Sequence, residues 1–101
     1  MRHIKKYWMA RTKKQREATV KNHMTVINLL MEQNMTIAHL SRKTPRYFRT
    51  KDTIKALVKF DIIFKTDETL WQQFNNEIVE LPYYTLNQET VQDYIDYINS
   101  L

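Results

Sequence analysis

Half of the basic side chains in this chain lie in one short stretch, and their spacing has the clearest chemical meaning in the sequence. The stretch holds Arg42, Lys43, Arg46, Arg49, Lys51, Lys55, Lys59 and Lys65, eight of the sixteen Lys and Arg residues. Clustered Lys and Arg neutralise phosphates and release their counterions. Tyr47 lies within the stretch, where its hydroxyl can bond a phosphate or its ring can stack on an unpaired base. The cluster predicts contact with a polyanion.

Charge is segregated along the chain. Residues 1–65 contain all sixteen basic residues and four acidic ones, a net charge of +12, whereas residues 66–101 contain seven acidic residues and no Lys or Arg, a net charge of −7. A basic surface that served only solubility would explain the overall charge of +5, but it would not explain this separation. The first two thirds of the chain should attract nucleic acid and the last third should repel it.

The composition also argues against an enzyme. There is no cysteine and no glycine, which excludes a thiolate nucleophile, a cysteine zinc site and glycine-rich phosphate loops. His3, His23 and His39 are scattered and have no ligand spacing. The sequence therefore predicts no catalytic residues, no cofactor and no metal. Without glycine, any position that needs a positive φ angle must be filled by Asn or Asp.

Apolar spacing predicts three helices in the first sixty residues. The first covers about residues 15–33, with an apolar stripe of Val20, Met24, Ile27, Leu30 and Met31. The second is short, capped by Thr36 and ended before Pro45. The third covers residues 52–60, with Ile54, Leu57 and Val58 inward and Asp52, Lys55, Ala56 and Lys59 on the opposite face.

The apolar period then changes to that of strands. Strands are predicted at residues 62–66, 70–74 and 77–86, with turns at Asp67-Glu68 and Asn75-Asn76. A final helix over residues 88–99, capped by Asn87 or Thr85, carries Val91, Tyr94, Ile95 and Ile98. Residues 15–101 are predicted to form one domain. Residues 1–14 are either a basic arm or helix extension that orders on a phosphate backbone, or a frayed terminus whose Trp8 docks on the core.

A three-helix unit followed by a β-hairpin resembles the winged helix-turn-helix superfamily of DNA-binding domains. The resemblance covers about residues 19–86, with residues 35–40 as the second helix, residues 53–60 as the recognition helix and Ile62-Ile63-Phe64 opening the wing. It implies an α+β fold of three helices, a two- or three-stranded hairpin or meander, and a C-terminal helix. Asp61 stands where the family usually has glycine, and Asp67 and Glu68 predict a wing that avoids phosphate.

The resemblance implies that residues 52–60 contact base edges. Lys55 could reach a guanine and Asp52 a cytosine amino group, with the small Ala56 at the centre of the face and Lys59 beside it. The flanking phosphates would be held by Arg42, Lys43, Arg46, Tyr47, Arg49 and Lys51. Lys13, Lys14 and Arg16 would follow the adjacent backbone or enter the minor groove. The alternative is that residues 52–60 present an ordinary solvated helix face.

These observations predict a small protein that binds duplex DNA, such as a transcriptional regulator, a partition factor or a phage or plasmid accessory protein. A homodimer is expected, because dimers match two half-sites. No apolar run approaches the about 20 residues that span a membrane, so the expected location is the cytoplasm or nucleoid, in the host cell if the protein is viral. One alternative is a protein-interaction module or inhibitor that uses the acidic C-terminal third, in which Tyr83, Tyr84 and Tyr97 are expected to be exposed. Another is RNA or single-strand binding through Tyr47.

Overall fold

Five helices and one β-hairpin make up the chain in a computed structural model, which describes residues 2–44 and 49–101 and the side chains of 4–44 and 49–101. The elements are α1 (Arg2–Met9), α2 (Lys13–Glu32), α3 (Ile37–Arg42), α4 (Thr50–Lys59), β1 (Ile63–Phe74), β2 (Glu77–Leu86) and α5 (Val91–Asn99). The predicted α+β class is confirmed. The predicted order is wrong at the start, because four helices precede the sheet instead of three.

The helix α1 belongs to the core. Trp8 is fully buried and Ile4 is 3% exposed, and the Tyr7 ring packs edge-on against Phe60, with the centroids 5.1 Å apart. Thr12 and Gln15 then form a capping box that begins α2, which satisfies two otherwise unpaired backbone N–H groups. Of the two alternatives for residues 1–14, docking of Trp8 on the core is the observed one.

The helix α2 buries a different stripe from the predicted one. Its buried residues are His23, Val26, Ile27 and Leu30, whereas Val20 and Met24 are only partly buried and Met31 is 53% exposed. His23 is the first residue of this stripe, and it can be buried because two tyrosines satisfy its ring. Its Nε2 lies 3.2 Å from the Tyr7 hydroxyl, and its Nδ1 lies 2.8 Å from the Tyr94 hydroxyl.

The short helix α3 begins as predicted. The Thr36 hydroxyl accepts a hydrogen bond from the His39 N–H at 3.2 Å, and Leu40 on the inner face is fully buried. Just before α3, Met35 exchanges two backbone hydrogen bonds with Tyr84, of 3.3 and 2.8 Å. This bridge attaches the entrance of α3 to the free edge of β2, so the helices and the hairpin share one core.

The strands β1 and β2 pair antiparallel as one hairpin. The prediction that Asp67 and Glu68 form a turn between two strands is wrong. They lie within β1, where the register shifts between Lys65 and Thr69. The predicted turn at Asn75-Asn76 is confirmed, with φ angles of 45° and 71°. Asp61, before β1, has a φ of 59°, so all three positive-φ positions among the described residues are Asn or Asp, as the lack of glycine predicted.

The helix α5 closes the core with its predicted apolar face, since Val91, Tyr94 and Ile98 are buried. Its predicted start is wrong: the N-cap is Thr90, and neither Asn87 nor Thr85 takes that position. Asn87 and Thr90 instead donate side-chain hydrogen bonds to the Asp61 carbonyl, at 2.9 and 2.7 Å. These bonds tie the start of α5 to the end of α4. None of the helices described is long and apolar enough to cross a membrane.

Candidate nucleic-acid interface

One face of α4 presents three lysines to solvent. Lys51, Lys55 and Lys59 are all exposed and are separated by four residues each, which places them one above another on the same side of a helix. We call these three residues the lysine stripe. Asp52 is exposed next to it in the first turn, where a carboxylate complements the helix dipole, as Lys59 does in the last turn. The stripe is a row of cations with a single carboxylate beside its start.

Ala56 does not belong to this face. It is 8% exposed and lies in the hydrophobic core, so the prediction that it occupies the centre of the exposed surface is wrong. The reason is that α4 is covered over a wide arc: Thr50, Thr53, Ile54, Ala56 and Leu57 are all buried. The exposed surface of α4 is therefore narrower than predicted.

The other predicted DNA contacts divide between separate places. Lys13, Lys14, Arg16 and Arg49 line one open groove with a volume of about 990 Å³, and Lys21 and Ile98 also line it. We call it the α2–α5 groove. Arg42 and Lys43 are exposed at the end of α3. Arg46 and Tyr47 lie outside the described residues, as does Phe48.

Side-chain contacts hold the basic residues around the start of α2 in place. The Arg11 guanidinium lies over the Tyr7 ring, 3.7 Å from its centroid, and donates to the Tyr7 carbonyl at 2.6 Å. Arg16 donates to the Arg11 carbonyl at 2.8 Å and is half-buried. Lys13 and Lys14 are exposed. The groove therefore combines an anchored guanidinium with free ammonium groups.

Sequence reasoning missed the buried polar centre of the fold. His23 has no exposed surface, and burial lowers the pKa of its imidazole to about 3, with the Arg11 charge acting in the same direction. Burial also raises the pKa of Tyr94. The imidazole is thus neutral and enclosed between two hydroxyls, which suits a structural link between α1, α2 and α5. Among the residues whose side chains are described, no three His, Asp or Glu residues group as metal ligands do.

The exposed apolar side chains of the acidic third are not the predicted tyrosines. Tyr84 is only 8% exposed, so its predicted exposure is wrong, and Tyr83 and Tyr97 are half-buried. Trp71, Phe74 and Ile78 are exposed instead, by 64%, 44% and 71%. All three lie near the end of the hairpin. The period-two pattern did not predict their exposure, because it assumes that one face of a strand is covered.

Comparison with known proteins adds no family to these observations. No family model matches the chain, and no curated protein or solved structure matches it.

Proposed function

We propose that this protein binds duplex DNA through the lysine stripe of α4. The observation that carries the proposal is the exposure of Lys51, Lys55 and Lys59 in one row over a buried face, within a segment of net charge +12. A helix of this kind fits the major groove, which is about 12 Å wide. The same row would supply phosphate contacts at its ends and base contacts at its centre.

The order of the elements supports a winged helix-turn-helix arrangement for residues 13–86. A long helix is followed by the Met35 bridge to β2, two further helices and a hairpin, which is the order of the family that the sequence resembles. In this arrangement α4 is the recognition helix. Lys55, at the middle of the stripe, contacts a guanine edge, and Asp52 accepts from a cytosine amino group.

Phosphate contacts are assigned to the basic residues around α4. Lys51 and Lys59 lie at the two ends of the stripe, and Arg42, Lys43, Arg46 and Arg49 flank the helix in the sequence. The hairpin has no part in DNA binding, since its carboxylates would be repelled by phosphate. A regulator, a partition factor or a phage or plasmid accessory protein would use such a surface.

The test is a titration of labelled duplex with purified protein at several salt concentrations. If about six phosphates are neutralised, affinity should fall on the order of 10³-fold between 50 and 200 mM salt. A binding curve that does not depend on salt, or no duplex binding at low salt, would contradict the proposal. Competition with single-stranded DNA and with RNA, in excess over the duplex, separates duplex binding from the two other nucleic-acid partners.

A further inference from the structure

The hairpin extends beyond the core. Ile63, Tyr84 and Leu86 at its base are buried, but from Thr66 to Tyr83 every residue is exposed or only partly buried. The nine residues from Thr66 to Phe74 span about 30 Å in an extended strand, a large part of the 42 Å length of the molecule. We call residues 70–80 the hairpin tip.

The hairpin tip exposes apolar side chains to water. Trp71 pairs with Glu80, and Gln73 pairs with Ile78, so Trp71 and Ile78 are diagonal neighbours on one face. Phe74 lies on the other face, beside Glu77. Because Trp71, Phe74 and Ile78 are exposed by 44% to 71%, the tip resembles an interaction surface more than a solvated loop.

The charge of the hairpin indicates what covers it. Asp67, Glu68, Glu77 and Glu80 are all exposed, and residues 66–86 contain no Lys or Arg. The hairpins of two copies would repel each other if they packed side by side, because each carries these four carboxylates and has no Lys or Arg after Lys65. The partner surface must therefore be basic and partly apolar.

The α2–α5 groove has both properties. Its basic residues are Lys13, Lys14, Arg16, Lys21 and Arg49, against the single acid Glu17, and its apolar lining includes Val20, Ile98 and Leu101. A volume of about 990 Å³ is at the upper end of the about 300–1,000 Å³ that receives a drug-sized ligand, so a few large side chains fit in it. None of the groove's lining residues belongs to the hairpin, so the two surfaces do not meet within one chain.

We propose that the hairpin tip of one copy docks in the α2–α5 groove of a second copy, and that two copies exchange hairpins in this way. Trp71 and Ile78 pack on Val20 and Leu101, and the carboxylates of the hairpin face the lysines of α2. Reciprocal exchange closes the contact into a two-fold dimer, whereas a one-way contact would propagate into a ring or a filament. To reach the about 1,200 Å² of a stable interface, each of the two contacts must bury about 600 Å².

The decisive experiment reverses charges on the hairpin in one variant and on the groove in another. It contains no DNA, so its failure leaves the DNA proposal untouched. The hairpin variant carries Glu77→Lys and Glu80→Lys; the groove variant carries Lys13→Glu and Lys14→Glu. Sedimentation velocity should show the unmodified chain at twice its 12.3 kDa mass. Each variant alone should be monomeric, because like charges meet, with dimer affinity weakened on the order of 100-fold. An equimolar mixture should restore the dimer, since the substituted positions 77 and 80 of one variant then meet the substituted positions 13 and 14 of the other with opposite charge.

Matched controls keep the net charge change and leave both surfaces intact. Glu89→Lys just before α5 with Asp93→Lys on α5, and Lys5→Glu with Lys6→Glu on α1, alter exposed residues that line neither the tip nor the groove. Both controls should stay dimeric. Trp71→Ser with Ile78→Ser supplies a third test that removes no buried side chain, and it should also give a monomer.

Three results would overturn the proposal. The unmodified chain could be monomeric at every concentration. The groove variant could remain dimeric while the hairpin variant does not, which would mean that hairpins pair with each other. The mixture of two monomeric variants could remain monomeric, which would mean that the two surfaces do not meet.

Discussion

The lysine stripe of α4 and the hairpin tip are both exposed to solvent, but the two surfaces differ in the polarity of their exposed side chains. The helix α4 exposes its charged side chains to solvent and buries Ile54 and Leu57. The hairpin tip exposes Trp71 and Ile78 to solvent together with its carboxylates. The apolar face of α4 is therefore covered within the chain, whereas the hairpin tip has apolar surface that the described residues leave exposed.

The largest expected contrast is between two tryptophans. Trp8→Ala should cost about 3–5 kcal/mol of unfolding free energy, because it empties a fully buried site. Trp71→Ala should change the unfolding free energy of the monomer by about 0.5 kcal/mol or less, because its side chain is 64% exposed. Urea unfolding at low protein concentration measures both. Equal losses for the two variants would show that the hairpin tip is covered within its own chain.

The second expectation concerns the dependence of stability on pH, which the buried imidazole of His23 should cause. The folded-state pKa of His23 is lowered to about 3 from the usual 6.5, so between these values the unfolded chain binds a proton that the folded chain does not. Stability should therefore be complete above pH 6.5 and fall by about 1.4 kcal/mol per pH unit below it. Urea midpoints at pH 7 and pH 5 measure the effect, which is about 2 kcal/mol at pH 5.

The control for this pH dependence is His23→Gln, which removes the titrating group. This variant should be less stable at pH 7, because it disturbs the bonds to Tyr7 and Tyr94, but its stability should change less between pH 7 and pH 5. An unchanged pH slope would mean that carboxylates, not His23, cause the loss.

The third expectation separates the lysine stripe from general basicity. Lys55→Gln should lose about 1–3 kcal/mol of discrimination between the best duplex site and its variants. Lys51→Gln or Lys59→Gln should weaken binding to all duplexes alike and reduce the salt slope by about one. Fluorescence anisotropy on a set of duplexes measures this. Lys5→Gln on α1 is the control. If Lys5→Gln lost as much discrimination between duplexes as Lys55→Gln, the lysine stripe would contribute only nonspecific charge.

The smallest expected effect concerns the connection between the two regions. Asp61 has a φ of 59°, a conformation that costs most L-residues about 1–2 kcal/mol and Asp somewhat less. Asp61→Gly should therefore be neutral or raise the free energy of unfolding by less than about 1 kcal/mol, whereas Asp61→Ala should lower it by about 1 kcal/mol. Both variants keep the backbone carbonyl that accepts from Asn87 and Thr90. A more stable Ala variant would contradict this reasoning.

Much of the local structure was predictable from particular residues. Thr36 caps α3 as expected, because the Thr side chain supplies the acceptor that a helix start lacks. Asn75-Asn76 forms the hairpin turn, because in a chain without glycine these residues best tolerate positive φ. Val91, Tyr94 and Ile98 line the inner face of α5, because helical spacing determines which residues share a face whatever they pack against.

The sequence alone thus predicted the helices that correspond to α2–α5, the hairpin turn at Asn75-Asn76 and the separation of charge, but not α1. Only the tertiary structure decided the orientation of residues that suit either environment. Ala56 and Tyr84 are buried because neighbouring elements cover them, and His23 is buried because two tyrosines reach its ring nitrogens. Trp71 is exposed because no other element among the described residues covers the hairpin tip. Periodicity gives the relative positions of side chains within one element, but burial depends on what a second element brings to them.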